Sequence, residues 1–328
     1  MSSLDTMPIA GIDYPMTWSQ FLDWFHSEEA CHVYLENLRW PDGFVCPKCK
    51  AFGSKNAKRL SRGRWVCSFC KHQSTVTAGT IFDKTRTELR VWFSAIWYIT
   101  NQKHGISALG LQRVLGFGSY ETSWSMLHKL RRAMIRPGRE LLTGEVEVDE
   151  SYLAITDRKN PLSRKGRKSN TTKQLVVIAV EIKQPKGFGR IRIRRIENGN
   201  DENLIPFILD SIDPEANIHS DGSAAYRNLI EKGYKHKRTV HIGSDTPAHE
   251  SMPGVHRIAT LLQRWILGTH HGAIQPKQLD YYLDEFVFRF NRRSSKSRGL
   301  LFYRLLQQAV ITAPVTYKEI TGGKEKVS

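Results

Sequence analysis

Four cysteines and two aspartates are the residues whose types and spacing best support chemistry. Cys46-Pro-Lys-Cys49 and Cys67-Ser-Phe-Cys70 are separated by 17 residues. Each C-x-x-C pair sets two thiolates on one side of a tight turn, and two such knuckles complete a tetrahedral four-sulfur site. Zinc suits this donor set because it accepts four soft ligands without geometric strain. A site closed by four protein ligands has no open coordination position, so Cys46, Cys49, Cys67 and Cys70 are expected to hold one structural Zn²⁺. Cys31 lies outside the pattern and reads as a buried apolar thiol. Paired cysteines of this kind fit a metal site in a reducing compartment better than a disulfide framework.

The two aspartates are Asp149, in the alternating stretch Val146-Glu-Val-Asp149, and Asp221, in His219-Ser-Asp-Gly222. A largely buried strand aspartate needs a partner or a metal. Gly222 lets the chain turn after Asp221 and frees that carboxylate. Two aspartates on strands of one sheet can converge on divalent cations, although an Asp-Gly pair also serves as a plain turn.

Those residues need a scaffold, and the apolar spacing supplies its outline. Thr17-Trp-Ser-Gln20 has the form of a capping box, and 18–38 reads as one or two short amphipathic helices. Trp40-Pro-Asp-Gly43 is a turn into the cysteines. Beyond them, Glu88–Asn101, Ile106–Leu115 and Ser119–Met134 read as three helices with a glycine-containing turn before the last, a helix-turn-helix-like pattern. A stripe of Trp124, Leu127, Leu130 and Met134 is expected inside, with Lys129, Arg131 and Arg132 outside. A purely structural three-helix connector would carry the same pattern. From Gly144 the periodicity changes. Strands are expected at Glu145–Leu153, Leu175–Ile182 (a continuous apolar run, buried on both faces), Arg190–Ile196, Ala216–His219 and Thr239–Ile242. Helices are expected at Glu202–Ile212, Ala224–Lys232, His256–Leu267 and Lys277–Arg289. The order βββαβαβα implies a mixed sheet with helices on its faces. The fold class is therefore multidomain α/β: an N-terminal helical segment (1–40), a zinc ribbon (41–80), a helical DNA-binding module (85–138), a mixed-sheet domain (144–296) and a C-terminal helix and tail (297–328).

Charge narrows the partner. The chain of 328 residues has a net charge of +17, although residues 1–45 hold seven acids against one base, Arg39. Such an excess favours a polyanion, and nucleic acid is the commonest; solubility is the bland alternative. Lys48, Lys50, Lys55, Lys58, Arg59, Arg62 and Arg64 surround the cysteines and suggest phosphate contact. Residues 158–195 carry thirteen Lys and Arg against the single acid Glu181. Within them Arg158–Lys173, including Arg164, Lys165, Arg167 and Lys168, reads as a basic loop able to grip phosphates without reading sequence. No run reaches the ~18 apolar residues of a membrane span, and the expected location is cytoplasmic, on the nucleoid. No dinucleotide or triphosphate glycine motif appears.

The chain resembles bacterial insertion-sequence transposases that join a zinc ribbon to an acidic-triad (DDE-type, ISXO2-like) domain. The resemblance rests on Glu147-Val-Asp-Glu-Ser-Tyr152, Gly166-Arg-Lys168 ahead of Leu175–Val180, Ser220-Asp-Gly-Ser-Ala-Ala-Tyr226, and the stretch from Val255-His-Arg257 through Gly268-Thr-His-His-Gly272 to Asp284–Arg293. It implies an RNase H-like fold and a homo-oligomer acting on double-stranded DNA, both transposon ends and target. It further implies that Asp149 and Asp221 bind two catalytic Mg²⁺ or Mn²⁺ ions about 4 Å apart, which activate the nucleophile and stabilise the leaving oxygen. The third position varies among relatives (Glu, Asn or His), and here it falls on His256, 35 positions beyond Asp221. Imidazole suits softer metals than Mg²⁺, so two roles are open to His256: completing a Mn²⁺-tolerant site, or orienting a phosphate or water. Glu250 is a rival third ligand, and Glu150 could assist from beside Asp149. Many relatives carry Lys further along the same helix; Gln263 stands there, with Arg264 beside it as a DNA contact. A non-catalytic DNA-binding regulator and a nuclease that cuts without joining are the alternatives.

Overall fold

The computed structural model describes residues 7–61, 63–136, 138–156, 171–239 and 251–322. The chain divides into two compact units, Met1–Arg136 with Ser295–Ser328, and Pro137–Ser294.

The first unit begins with helices α1 (Trp18–Trp24) and α2 (Glu28–Arg39), each started by a hydroxyl that accepts a backbone N–H, Thr17 from Gln20 and Ser27 from Ala30. A three-stranded antiparallel ribbon follows: β1 (Ala57–Leu60), β2 (Arg64–Cys67) and β3 (Gln73–Thr75). Three helices come next, α3 (Leu89–Asn101), α4 (Ala108–Leu115) and α5 (Tyr120–Arg132). Gly116, in the left-handed region at φ 68°, ends α4, and Ser119 caps α5. The turn signals in the sequence thus mark real boundaries.

The C-terminal segment is not the separate element its sequence suggests. Helix α9 (Arg298–Ala309; α6 to α8 lie in the second unit) packs on α2 and α3. Its Phe302 ring lies 5.5 Å from Phe21, 5.7 Å from Phe25, 5.8 Å from Phe93 and 5.6 Å from Trp97. Aromatic rings at these separations add edge-to-face attraction to the area they bury. The short helix α10 (Tyr317–Ile320) packs on α5.

Two side chains in α5 depart from expectation. Arg131, expected outside, is 1% exposed, whereas Trp124, expected inside, is half-buried. Leu127, Leu130 and Met134 of the expected stripe are buried, and the buried arc widens through Ser123, Met126 and Arg131 because α4 and α10 both cover this helix.

The second unit holds five strands in the order β6-β5-β4-β7-β8: β4 (Glu145–Thr156), β5 (Thr171–Ile182), β6 (Phe188–Arg195), β7 (Asn217–Asp221) and β8 (Lys235–Thr239). The first three run antiparallel to their neighbours, while β4, β7 and β8 are parallel. Helix α6 (Asp201–Ser211) covers one face through Leu204, Phe207 and Ile208 against Val146, Val148, Val177 and Ala179. Helices α7 (Pro253–His270) and α8 (Leu279–Asn291) cover the other against Leu153, Ile155, Ile178 and Val180. The apolar run of β5 is therefore buried on both sides, as its lack of alternation predicts. This is the mixed sheet with helices on both faces that the element order implies.

Two elements differ from expectation. Residues Ala224–Leu229 form a 3-10 turn rather than an α-helix. The last strand is Lys235–Thr239, not Thr239–Ile242, of which only Thr239 is described. Its Lys235, Lys237 and Arg238 give no apolar pattern, since an edge strand is commonly kept charged to discourage further pairing.

Gly299 offers a direct test of the α9 docking. A Cβ at this position would sit 1.8 Å from the Pro15 carbonyl oxygen, whereas one at Gly268, in α7, would meet nothing within 4 Å. Gly299→Ala should lower stability by about 2–3 kcal/mol, while Gly268→Ala should be neutral or stabilising by up to ~1 kcal/mol. Thermal unfolding of both variants reads this, and equal midpoints would refute the packing described.

Candidate active site and zinc centre

The ribbon strands bring the two knuckles face to face. Ala57 pairs with Cys67 in β1 and β2, and Cys46 and Cys67 are both fully buried. The four Sγ atoms all lie within 4.8 Å of one another, with Cys46 to Cys70 and Cys49 to Cys67 each at 3.6 Å. A tetrahedral zinc with Zn–S near 2.3 Å requires sulfurs roughly 3.8 Å apart, so the cage fits. The knuckles are built alike. In each, the N–H of the second cysteine points at the first sulfur, which pulls the Cys46 thiol down to about 6 and lowers that of Cys67. This favours thiolates at Cys46 and Cys67, whereas burial and contact with the other three sulfurs push the Cys49 thiol up to about 12, a proton that metal binding would release. Each knuckle ends in a lysine with positive φ, Lys50 at 61° and Lys71 at 58°. Phe44 stacks on Trp65 at 5.2 Å beneath the cage. Of the surrounding cations, Lys48, Lys50, Lys55, Lys58 and Arg64 are exposed, whereas Arg59 is held by Glu29 and Glu36 at 2.6 and 2.7 Å; Arg62 lies outside the described residues.

The acidic site is organised by strand β4. Successive side chains of a strand point to opposite faces. Leu153 and Ile155 pack under α7, so Glu147 and Asp149 share that face, while Val146, Val148 and Glu150 face α6. In the parallel pairing of β4 with β7, Glu147 lies opposite His219. Two residues further on, where the recorded ladder has stopped, the same register sets Asp149 beside Asp221 on the same face. The Asp221 carboxylate accepts the Ser223 N–H at 3.0 Å, and Asp149 accepts that of Glu150 at 2.8 Å.

Burial, reinforced by the charges of Glu150, Asp221 and Glu147, pushes the Asp149 carboxyl up to about 7. Burial likewise raises Glu150 and Glu147. Packed carboxyls whose ionisation is resisted by one another are what a bound cation would relieve. Glu150, considered as an assistant, is turned away from Asp149 and accepts the Tyr226 hydroxyl at 2.7 Å.

His256 lies in the first turn of α7, half-buried, with Nε2 shielded from solvent. Glu147 accepts the Val255 N–H at 3.0 Å and so holds the start of this helix against β4. Among the described residues, only the four cysteines form a group of three or more potential ligands with all donor atoms within 4.8 Å. Asp149, Asp221 and His256 are thus not drawn into one closed ligand cage. Glu250, Arg164, Lys165, Arg167 and Lys168 lie outside the described residues. Arg132 and Arg264 are exposed, Lys129 is half-buried, and Arg131 is buried away from any ligand.

Sequence reasoning gave no role to Glu147 or Tyr226. The first could have been found from its two-residue spacing to Asp149. Nothing in sequence links Tyr226 to Glu150, which depends on the fold of the 3-10 turn. Gln263, which stands where many relatives carry Lys, bonds the backbone of Ala154 through its amide.

Two measurements follow. Cys49→Ser, or chelation of zinc, should release one zinc per chain and abolish the near-ultraviolet signal of packed Trp40 and Trp65; an unchanged signal would contradict a zinc-dependent ribbon. In protein kept loaded with zinc but free of Mg²⁺ and Mn²⁺, Asp149 ionises near 3.8 when unfolded and near 7 when folded. Between those values the folded state holds the extra proton, so this residue's contribution to stability falls as pH rises. Asp149→Asn removes that loss. The variant should melt higher than wild type above pH 7, with the gap closing below pH 4; a gap independent of pH would contradict the burial of this carboxyl.

Comparison with known proteins agrees with this architecture. A family model of the ISXO2-like transposase domain matches residues 141–291, and one of the transposase zinc-ribbon domain matches residues 26–73. An uncharacterized protein in transposable element ISH50 of Halobacterium salinarum is 25% identical over 285 residues, covering 81% of this chain and 91% of that relative. No helix among the described residues is long and apolar enough to cross a membrane. The chain therefore carries a transposase zinc-ribbon domain over residues 26–73 and an ISXO2-like transposase domain over residues 141–291, and it is similar over most of its length to a protein of a transposable element.

Proposed function

We propose that this transposase cuts DNA at transposon ends and joins the freed ends to target DNA, with Asp149 and Asp221 holding Mg²⁺ or Mn²⁺. The observation that carries the proposal is the placement of Asp149 and Asp221 on one face of neighbouring parallel strands, just past the last recorded ladder pair, Glu147 with His219. Their hard oxygens suit either cation, and the elevated Asp149 carboxyl marks a site where anionic charge awaits compensation. When bound, the cations supply Lewis-acid stabilisation of the charge that builds on the phosphate and its leaving oxygen.

The residues of the chain do the rest. Asp149 and Asp221 would hold the cations, and His256 would complete the site or orient the phosphate or the attacking water. In cleavage, water attacks phosphorus and the 3′-oxygen of the element leaves as a hydroxyl. In joining, that hydroxyl attacks a target phosphodiester and displaces the target's 3′-oxygen, so no covalent protein–DNA intermediate is needed. Exposed Lys48, Lys50, Lys58, Arg64, Arg132 and Arg264 supply phosphate contacts, and the basic segment around Arg164, Lys165, Arg167 and Lys168 adds charge next in sequence to β4. We assign the protein a homo-oligomeric state on paired ends, acting in the cytoplasm on the nucleoid.

The second reading is a DNA-binding regulator that keeps the fold without the chemistry. It is favoured by the absence, among the described residues, of a closed cage joining Asp149, Asp221 and His256.

Incubation with DNA carrying the element's ends, in Mg²⁺ and in Mn²⁺, separates the two. Wild type should give cleaved and joined products. Asp149→Asn and Asp221→Asn should bind DNA normally and lose both products by a factor of 10³ or more, an order of magnitude set by removing electrostatic stabilisation of the transition state (on the order of 10²–10³ per donor). His256→Ala should lose activity more severely in Mg²⁺ than in Mn²⁺. Specific binding with no cleavage in either metal would favour the regulator, and cleavage surviving in Asp149→Asn would sink the assignment of this site.

A further inference from the structure

Helix α7 is tied to strand β4 at two points, and these bracket the acidic site. At the first, Glu147 accepts the Val255 N–H at 3.0 Å. The approach is so close that a Cβ on Gly254 would lie 2.8 Å from the Glu147 carboxylate and 2.7 Å from Ile182 Cδ1, so a side chain there would push one of these groups aside. At the second, the Gln263 side chain accepts the Ala154 N–H through Oε1 at 2.9 Å and donates through Nε2 to the Ala154 carbonyl at 3.0 Å.

The second contact has the form of a strand pair. Ala154 lies opposite Lys173 of β5 on one flank, but the recorded pairing of β4 with β7 ends at Glu147. Among the described residues, the outward N–H and C=O of Ala154 therefore meet no strand. A primary amide carries one acceptor and one donor in the same plane, as a peptide group does, and can stand in for that missing neighbour. Lysine could not: its ammonium group donates only, and would leave the Ala154 N–H without an acceptor.

On the strand, Asp149 lies between Glu147 and Ala154; on the helix, His256 lies between Val255 and Gln263. We infer that Gln263 is a positioning residue, an amide clamp that substitutes for the absent strand neighbour of β4 and thereby sets His256 relative to Asp149. It is not a vestige of a DNA-contacting lysine. The consequence for chemistry rests on the site proposed above; the clamp itself and its effect on His256 do not.

The test compares wild type with Gln263→Met, Gln263→Lys and Leu262→Val, the last a core change in the same helix that weakens packing and leaves the clamp intact. Hydrogen exchange of the Ala154 amide should be slow in wild type and Leu262→Val, and at least tenfold faster in both Gln263 variants. The His256 imidazole resonances, followed by carbon–proton NMR on histidine-labelled protein, should shift in the Gln263 variants and stay in place in Leu262→Val. In single-turnover cleavage, both Gln263 variants should slow on the order of tenfold to a hundredfold, the scale of a small misplacement of reacting groups. The DNA dissociation constant of Gln263→Met should stay within twofold.

An Ala154 amide that stays protected in Gln263→Met overturns the clamp. His256 resonances that move equally in Leu262→Val reduce Gln263 to a purely structural residue and overturn its positioning role. A Gln263→Lys protein that binds DNA more tightly and cuts as well as wild type also overturns it, in favour of a DNA contact. If wild type itself cuts no DNA, the proposed function fails, while the exchange and resonance measurements still decide the clamp.

Discussion

Along one flank of Glu145–Thr156 the backbone is paired with β5 over its whole length; along the other it meets β7 only at its start. This asymmetry is the constraint on which the second unit depends. The shared stretch fixes the register that brings Asp149 and Asp221 to the same face. Where the ladder ends, the carboxylates of Asp149 and Asp221 act on one another electrostatically. Beyond it the strand needs another partner, and α7 provides one through Gln263. A longer β7 would satisfy the same backbone groups and leave less room for a ligand at the acids.

The zinc ribbon and the acidic site proposed here are opposite solutions in electrostatics. In the ribbon, backbone N–H groups aimed at Cys46 and Cys67 favour thiolates, so the cage is disposed to take its metal early and to hold the small core of Phe44, Trp40 and Trp65 around it. A domain of this size buries too little apolar surface to be stable on that alone. In the sheet, burial works against ionisation of Asp149 and keeps its carboxyl near 7. Charge that destabilises the empty site is the same charge that would be stabilised by a cation, so folding energy is exchanged for affinity. Glu150 carries similar strain but is held by Tyr226 on the other face.

Much of this was legible in sequence, for identifiable reasons. The cysteine spacing is local, and the cage it predicts is present. The apolar run of Leu175–Ile182 and the alternation of Val146 and Val148 gave the central strands because burial on two faces and on one leave different periodicities. Elements governed by position in the sheet were not legible: β8 is an edge strand of lysines and arginine, and its burial pattern has no apolar period. Arg131 misled for a related reason. A basic residue in the last turn of a helix is usually solvated, but two further helices cover this one, and the second of them comes from the far end of the chain. The pairing of Tyr226 with Glu150 and of Gln263 with Ala154 depends on contacts across 76 and 109 residues, which no local pattern encodes.

The central claim is that Asp149 and Asp221 together form a cation site on the α7 face of the sheet. Crystals soaked in Mn²⁺ and measured at a wavelength where manganese scatters anomalously test it without relying on DNA or turnover. The account predicts an anomalous peak within coordination distance of both carboxylates, absent from crystals of Asp149→Asn. A peak on the Glu150 and Tyr226 face, or none near Asp149 at saturating Mn²⁺, would contradict it.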